Sequence, residues 1–218
     1  MKIMVISDLH YPLPYSRLYA KAIRKEKPDR VVLLGDVVAP SSFRNALPLY
    51  KRFVKEYEKV FPVSRTVFLL GDNEGRIENY LINKEVANFL AGLPKANKDL
   101  ITYSYKNLFF FHGNIEHSFA QERLGRKLAK LLVPIHELLL PYLLGRIVRL
   151  KFHMRKGQIL LLGHIHYLGK VDHDVFCGTF CKEKILYGVR KSLGYAVISD
   201  TGKKQIDMHD IELMRLRH

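Results

Sequence analysis

Carboxylates and imidazoles recur in this sequence directly after short apolar runs. The run that starts at Lys2 ends in Ser7-Asp8-Leu9-His10, Val31–Leu34 ends in Gly35-Asp36, and Thr66–Leu70 ends in Gly71-Asp72-Asn73-Glu74. Farther on, Phe109–Phe111 leads into His112-Gly113, and Ile159–Leu162 into Gly163-His164-Ile165-His166. A D-x-H or an H-x-H pair alone is a weak signal. Five such blocks behind five apolar runs, with glycines that let the backbone turn sharply beside a ligand, form a far more specific one. Mixed carboxylate and imidazole donors suit Mn²⁺, Fe or Zn²⁺ better than Ca²⁺, which takes oxygen alone. Two such ions about 3.5–4 Å apart need one bridging carboxylate, make hydroxide available near neutral pH and clamp a phosphoryl oxygen. The pairs Asp8/His10 and His164/His166, each two residues apart, either feed one ion together or divide between neighbouring ions.

Such blocks need a frame that brings strand ends together. Each apolar run is too short for a helix and lacks polar alternation, which predicts strands covered on both faces. Helical patterns fall between them, over about Tyr15–Lys25, Leu47–Val60 and Ile77–Leu90, in βαβ alternation. Ile101–Tyr105 and Asn107–Phe111 read as a hairpin. Ile159–Leu162, Val171–Phe176 and Tyr195–Ser199 read as further strands, with Ile206–Leu216 as a last edge strand. In open α/β sheets the carboxyl ends of the strands are where ligands bind, which is where every block lies. No repeat, linker or low-complexity tract interrupts the chain, so one domain over residues 1–218 is expected, with a basic helical insertion at about 117–156.

Composition narrows the class. The chain has 218 residues, 48% of them hydrophobic, and 36 Lys+Arg against 21 Asp+Glu give a net charge of +15. That hydrophobic share argues against a disordered chain. Two cysteines, Cys177 and Cys181, exclude a disulfide framework and a four-cysteine zinc site, and reduced core thiols are expected. No run of eighteen apolar residues occurs, so no transmembrane helix is expected, nor is a secretory leader, and a cytoplasmic setting is the default. The positive charge predicts a polyanionic partner such as nucleic acid, anionic lipid headgroups or a phosphorylated small molecule. It is concentrated: between Glu122 and Lys156, nine Lys/Arg face two acids, 9 − 2 = +7.

The blocks resemble, in order, the D-x-H, G-D, G-N-H-[DE], H-G and G-H-x-H series of the calcineurin-like metallophosphoesterase superfamily, over Met1 to about Ser199. The resemblance implies a four-layer α/β/β/α sandwich of two mixed sheets. It also implies one ion held by Asp8, His10, Asp36 and His166, and a second held by Asp36 as the bridge, Asp72, His112 and His164. Mn²⁺ leads the candidate metals, with Fe and Zn²⁺ behind it. One block departs from the pattern: Asp72-Asn73 stands where the family has Asn-His. An Asp at 72 adds a negative charge, so three carboxylates face two divalent cations, and tighter metal retention with a less electrophilic site is expected. Asn73 replaces an imidazole that, in the family, protonates or stabilises the leaving group, and an amide donates a hydrogen bond but cannot act as a general acid. Loss of a positioned acid costs about 10²–10⁴-fold, most of it on poor leaving groups. The expected substrates are therefore activated phosphodiesters or pyrophosphates rather than alkyl phosphomonoesters.

The insertion is similar in two respects to that of the UDP-2,3-diacylglucosamine diphosphatase type, which has a basic helical segment between the H-G and G-H-x-H blocks and no His in the third block. That likeness implies a lipid-linked or nucleotide pyrophosphate. Arg123, Arg126/Lys127 and Lys130 oppose a stripe of Leu124, Leu128 and Leu131, an amphipathic pattern. Pro134 and Pro141 are expected in first turns, and Leu138–Leu144, apolar nearly all round, needs a partner on more than one side. The packing alternatives are the sandwich itself or a homodimer interface, and the functional one is a lid at an anionic membrane surface, which would make the chain peripheral to the inner membrane face. Arg44 and Arg76, just past the second and third blocks, are candidates to meet a substrate phosphate. Two alternatives to a small-molecule phosphoesterase remain, a Mn-dependent nuclease on DNA or RNA and a binding scaffold that kept the fold with little catalysis. Charge on an apolar helical insertion, instead of an aromatic-interleaved groove, weighs against the first. The competent ligand type at every metal position weighs against the second.

Overall fold

The structure, a computed structural model, describes residues 1–39, 45–74, 83–94, 97, 99–114, 127, 131, 138–181, 193–201 and 203–211. Its first sheet contains β1 (Lys2–Ile6), β2 (Arg30–Leu34), β3 (Thr66–Leu69), β9 (Gly194–Thr201) and β10 (Lys203–Asp210), in the order β10-β9-β1-β2-β3. β1, β2 and β3 run parallel, and β9 and β10 join them antiparallel. The second sheet has the order β4-β5-β6-β8-β7, from β4 (Thr102–Tyr105), β5 (Leu108–Phe111), β6 (Ile159–Leu162), β7 (Leu168–Val171) and β8 (Asp174–Cys177). There β5, β6 and β8 are parallel while β4 and β7 pair antiparallel at the edges. Both sheets are mixed.

Side-chain alternation divides each strand between two cores. Met4, Ile6, Val31, Leu33 and Phe68 point outward to α1 (Leu18–Glu26), α2 (Ala46–Tyr57) and α3 (Lys84–Ala91), where they meet Tyr19, Phe53, Tyr57 and Val86. The intervening residues Ile3, Val5, Val32, Leu34 and Leu69 face inward against Leu108, Phe110, Leu161, Val175 and Cys177 of the second sheet. That sheet turns Phe111, Leu160, Leu162 and Phe176 outward to Leu144 and Val148 of α4 (Leu139–Lys151). The result is four layers, α/β/β/α, the arrangement that the resemblance implies. Near-continuous apolar strands are the consequence of burial on both faces. Arg149 pins α4 to the second sheet by donating from Nε to Asp174 Oδ1 (2.9 Å) and from Nη2 to the Gln158 carbonyl (3.0 Å).

Two expectations need correction. Val171–Phe176 is not one strand: Asp172 takes a left-handed φ of 55° and the chain folds back there, pairing Val171 with Asp174 in the hairpin β7–β8. The polar Asp172-His173 pair is the turn, and short apolar flanks disguised it as strand interior. The last edge strand begins at Lys203 rather than Ile206, and of the residues expected beyond it, 212–216 lie outside the described residues. The first part of the helix expected over Ile77–Leu90, Pro134, and most of the insertion before Leu138 lie outside them as well. Cys177 and Cys181 are both buried free thiols. No helix among the described residues is long and apolar enough to cross a membrane.

Candidate metal centre

The ends of β1, β2, β3, β5 and β6 open onto one place at the rim between the sheets. Parallel pairing puts the carboxyl ends of β1, β2 and β3 side by side, and that of β5 beside β6, so Asp8, Asp36, Asp72, His112 and His164 emerge together. The backbone turns abruptly to aim them. Asp8 (φ 50°), His10 (51°), Asp36 (48°), His164 (65°) and His166 (56°) all lie in the left-handed region. Such conformations cost about 1–3 kcal/mol each for non-glycine residues and persist where surrounding structure over-determines them. Glycine is required at two neighbouring positions. Gly35 has φ 84°, and a Cβ there would lie 2.5 Å from His112 Nδ1. A Cβ on Gly163 would drive into the Ser7 hydroxyl and come within 2.7 Å of Asp8 Oδ2.

The donor atoms gather into overlapping groups. The ligating atoms of Asp8, His10 and His166 lie within 4.8 Å of one another, as do those of Asp72, His112 and His164, and those of Asp8, Asp36 and His112. In the first group His166 Nε2 is 3.1 Å from Asp8 Oδ1 and 3.5 Å from His10 Nε2. In the second, Asp72 Oδ1 is 3.1 Å from His112 Nε2 and 3.3 Å from His164 Nδ1. Asp36 stands between them, with Oδ2 4.0 Å from His10 Nε2 and Oδ1 3.8 Å from His112 Nε2. The structure thus brings together all seven residues that the resemblance singles out. Arg44 and Arg76 lie outside the described residues.

An outer layer fixes these groups. His112 Nδ1 lies 2.7 Å from the Leu34 carbonyl, which only accepts, so Nδ1 carries a proton and Nε2 is the nitrogen turned to Asp72 and Asp36. Asp8 Oδ2 accepts from the Ser7 hydroxyl and from His164 N (2.9 Å), leaving Oδ1 toward His166. Thr179 Oγ1 and Phe180 N both donate to the Asp8 carbonyl, at 2.8 and 3.0 Å. Glu74, fully buried, accepts from Asp36 N, Gly71 N and Val38 N, each at 2.9 Å, and so ties the loops after β2 and β3 together. Sequence alone assigns Ser7, Glu74 and Thr179 no role; the one signal is an acid directly behind the third block. Asn114, two residues past His112, is 5% exposed, and its Oδ1 accepts no hydrogen bond from the described residues.

Asn73 does not reach into open space. Its Nδ2 donates to Asp36 Oδ2 (2.7 Å) and lies 3.1 Å from His10 Nδ1, while its backbone N donates to Asp36 Oδ1 (2.9 Å). The amide therefore orients the carboxylate shared by the two groups.

Charge is finely divided here. Burial alone would raise the Asp8 carboxyl, but His166, His112 and His10 outweigh it and hold the group below the usual carboxylate range. Burial, reinforced by repulsion from Asp72, pushes Asp36 well above that range. Asp72 resists the same burial because His164 and His112 hold it well down. Burial disfavours a charged His112, yet Asp8, Asp36 and Asp72 raise it to about 10. Burial lifts Glu74 to about 7 against the backbone donors of Val38 and Gly71. Three carboxylates facing four imidazoles, with protons shared among them, fit divalent cations taken up in exchange for those protons.

The comparisons with known proteins agree with this geometry. The family model described as calcineurin-like phosphoesterase matches residues 1–168. A metallophosphoesterase from Sphaerobacter thermophilus superposes with a TM-score of 0.51 at 16% identity, over 96% of this chain and 87% of that one, which shows a shared fold. An archaeal phosphodiesterase (19% identity, TM-score 0.47, 96% and 99% covered) and the E. coli phosphoesterase Yfce (14%, 0.48, 97% and 100%) are also similar. No curated protein sequence matches the chain. The matched segment contains every block that supplies the centre, and the chain belongs to the calcineurin-like phosphoesterase family, as a metal-dependent phosphoester hydrolase.

Proposed function

We propose that the chain hydrolyses activated phosphodiesters or pyrophosphates at a dinuclear centre, on a nucleotide or lipid-linked substrate. Asp8, His10, Asp36 and His166 would hold one divalent ion, and Asp36, Asp72, His112 and His164 the other, Mn²⁺ ahead of Fe or Zn²⁺. When bound, the ions would lower the pKa of water and take up charge on the phosphoryl oxygens. The chain's own part is to aim lone pairs and to hold protons away from them. His112 keeps its proton on Nδ1 against the Leu34 carbonyl, and Asp8 keeps Oδ2 occupied by Ser7 and His164 N.

The observation that carries the substrate preference is Asn73. Its amide nitrogen is engaged with Asp36 and His10, and an amide has no proton to give at neutral pH. A leaving group must then depart as an anion already stable in water, such as a phosphate or a phenolate. The test compares kcat/KM, in Mn²⁺, on bis-p-nitrophenyl phosphate, a nucleotide-sugar pyrophosphate, an alkyl phosphomonoester and single-stranded DNA. The reading expects the first two to lead. A lead for the alkyl monoester defeats the leaving-group argument, a lead for DNA makes the chain a nuclease, and no turnover on any of them makes it a scaffold.

A further inference from the structure

The side of α4 that faces away from the second sheet is apolar where a surface helix is normally polar. Pro141, Leu144, Gly145 and Val148 are its buried side. Leu143, Ile147 and Leu150, at i, i+4 and i+7, line up along the other side, 38, 47 and 76% exposed. At 100° per residue these three span about 60° of arc, with Arg146 about 40° beyond one edge of the stripe and Lys151 about 40° beyond the other. The Arg146 guanidinium lies 5.6 Å from the ring of Tyr142, itself 40% exposed. Where the helix ends, a cavity of about 480 Å³ lies among Arg146, Arg149, Leu150, Met154, Arg155 and Lys156. From residue 138 to residue 171 the sequence has six Lys/Arg and no Asp or Glu.

This cavity is separate from the metal centre. Arg149 bonds the Gln158 carbonyl, at the amino end of β6, whereas His164 and His166 follow its carboxyl end. The two lie about one four-residue strand apart, ~13 Å.

We infer that this face of α4 is a docking surface for an anionic phospholipid bilayer. The stripe supplies aliphatic side chains to lie among the first methylenes of the lipid. Arg146, Lys151, Arg155 and Lys156 flank it at the level of the phosphates, and the cavity takes a headgroup phosphate above Leu150 and Met154. Charge selects this occupant. A second copy would bring the same cations face to face, and the described residues that line the stripe and the cavity include no acid to set between them. Nucleic acid would meet the cations but has no use for a protruding Leu-Ile-Leu stripe, since single strands stack on aromatic rings. The surface is independent of which phosphoester the centre cleaves.

The experiment is flotation of the full chain with phosphatidylcholine vesicles, with and without phosphatidylglycerol, with turnover on bis-p-nitrophenyl phosphate as a check that each variant is folded. The parent protein should float with the anionic vesicles and stay behind with the neutral ones. Leu150→Ser, which leaves charge unchanged, should weaken binding about tenfold. Arg155→Ala with Lys156→Ala should weaken it about 25-fold, about fivefold for each cation. Lys51→Ala with Lys55→Ala, the same charge removed from α2 on the opposite outer layer, should change it little. Equal losses for the two double variants, or no loss for Leu150→Ser, would reduce the effect to general adsorption of a basic protein and overturn the inference. Failure to float, with retention on single-stranded DNA or a dimer that Leu150→Ser dissociates, would overturn it in favour of those partners.

Discussion

Restoring an imidazole at position 73 tests the link between Asn73 and substrate choice. In Asn73→His the backbone N that donates to Asp36 Oδ1 at 2.9 Å remains, so the residue stays anchored beside the shared carboxylate. What is lost is the Nδ2 bond to Asp36 Oδ2 at 2.7 Å, a buried hydrogen bond whose loss costs about 1.5–3 kcal/mol. At about 2–4 °C per kcal/mol for a chain of this size, the metal-free variant should melt about 3–12 °C lower. What is gained is a general acid, worth about 10²–10⁴-fold where the leaving group needs a proton and little where it does not. The assay is kcat/KM in Mn²⁺ on an alkyl phosphomonoester and on bis-p-nitrophenyl phosphate, for parent and variant. The ratio of the two should move toward the alkyl ester by about 10²-fold, the lower bound, because the ring is new to its surroundings. If both substrates change by the same factor, leaving-group protonation has nothing to do with residue 73, and the argument from Asn73 fails.

Other positions give separate checks. Asp72→Asn removes one of three carboxylates facing the cations, so metal should dissociate more readily while turnover per loaded site rises; slower turnover with weaker retention would contradict the charge argument. Glu26 is desolvated by burial, yet donors from Lys2 and Tyr195 hold its carboxyl below the usual value. A depressed carboxyl contributes stability above its unfolded pKa and loses it as pH falls through the folded one, so Glu26→Gln should lower Tm by about 2–8 °C at pH 7 and by less near pH 3. An equal drop at both would refute this. Burial with a push from Asp8 holds the Cys177 thiol far above its usual pKa, so a thiol reagent at pH 8 should label that residue only on unfolding, and rapid labelling of the native protein would contradict its burial.

The sheets and the block residues were legible because each strand here is buried on two faces and ends in a chemically distinctive block. Parallel pairing then does the rest: once β1, β2 and β3 lie side by side, Asp8, Asp36 and Asp72 have nowhere else to emerge. What could not be read depends on conformation rather than residue type. Asp172-His173 interrupts an apolar stretch as an exposed strand residue would, and only a left-handed φ makes it a turn. Asn73 is recognisable in sequence as the absence of an acid, but its commitment to Asp36 depends on which way the amide points. Glu74 is one acid among several until its three backbone donors are in place. Ser7 and Thr179, 172 residues apart in the chain, act on the same aspartate through contacts that no local pattern encodes.

The central claim is a pair of cations sharing Asp36. Anomalous diffraction from crystals grown in Mn²⁺, recorded at the manganese edge, tests it without reference to any substrate. Two peaks about 3.5–4 Å apart, one beside Asp8, His10 and His166 and one beside Asp72, His112 and His164, with Asp36 between them, are the predicted result. A single peak, or two that do not share Asp36, would contradict the account.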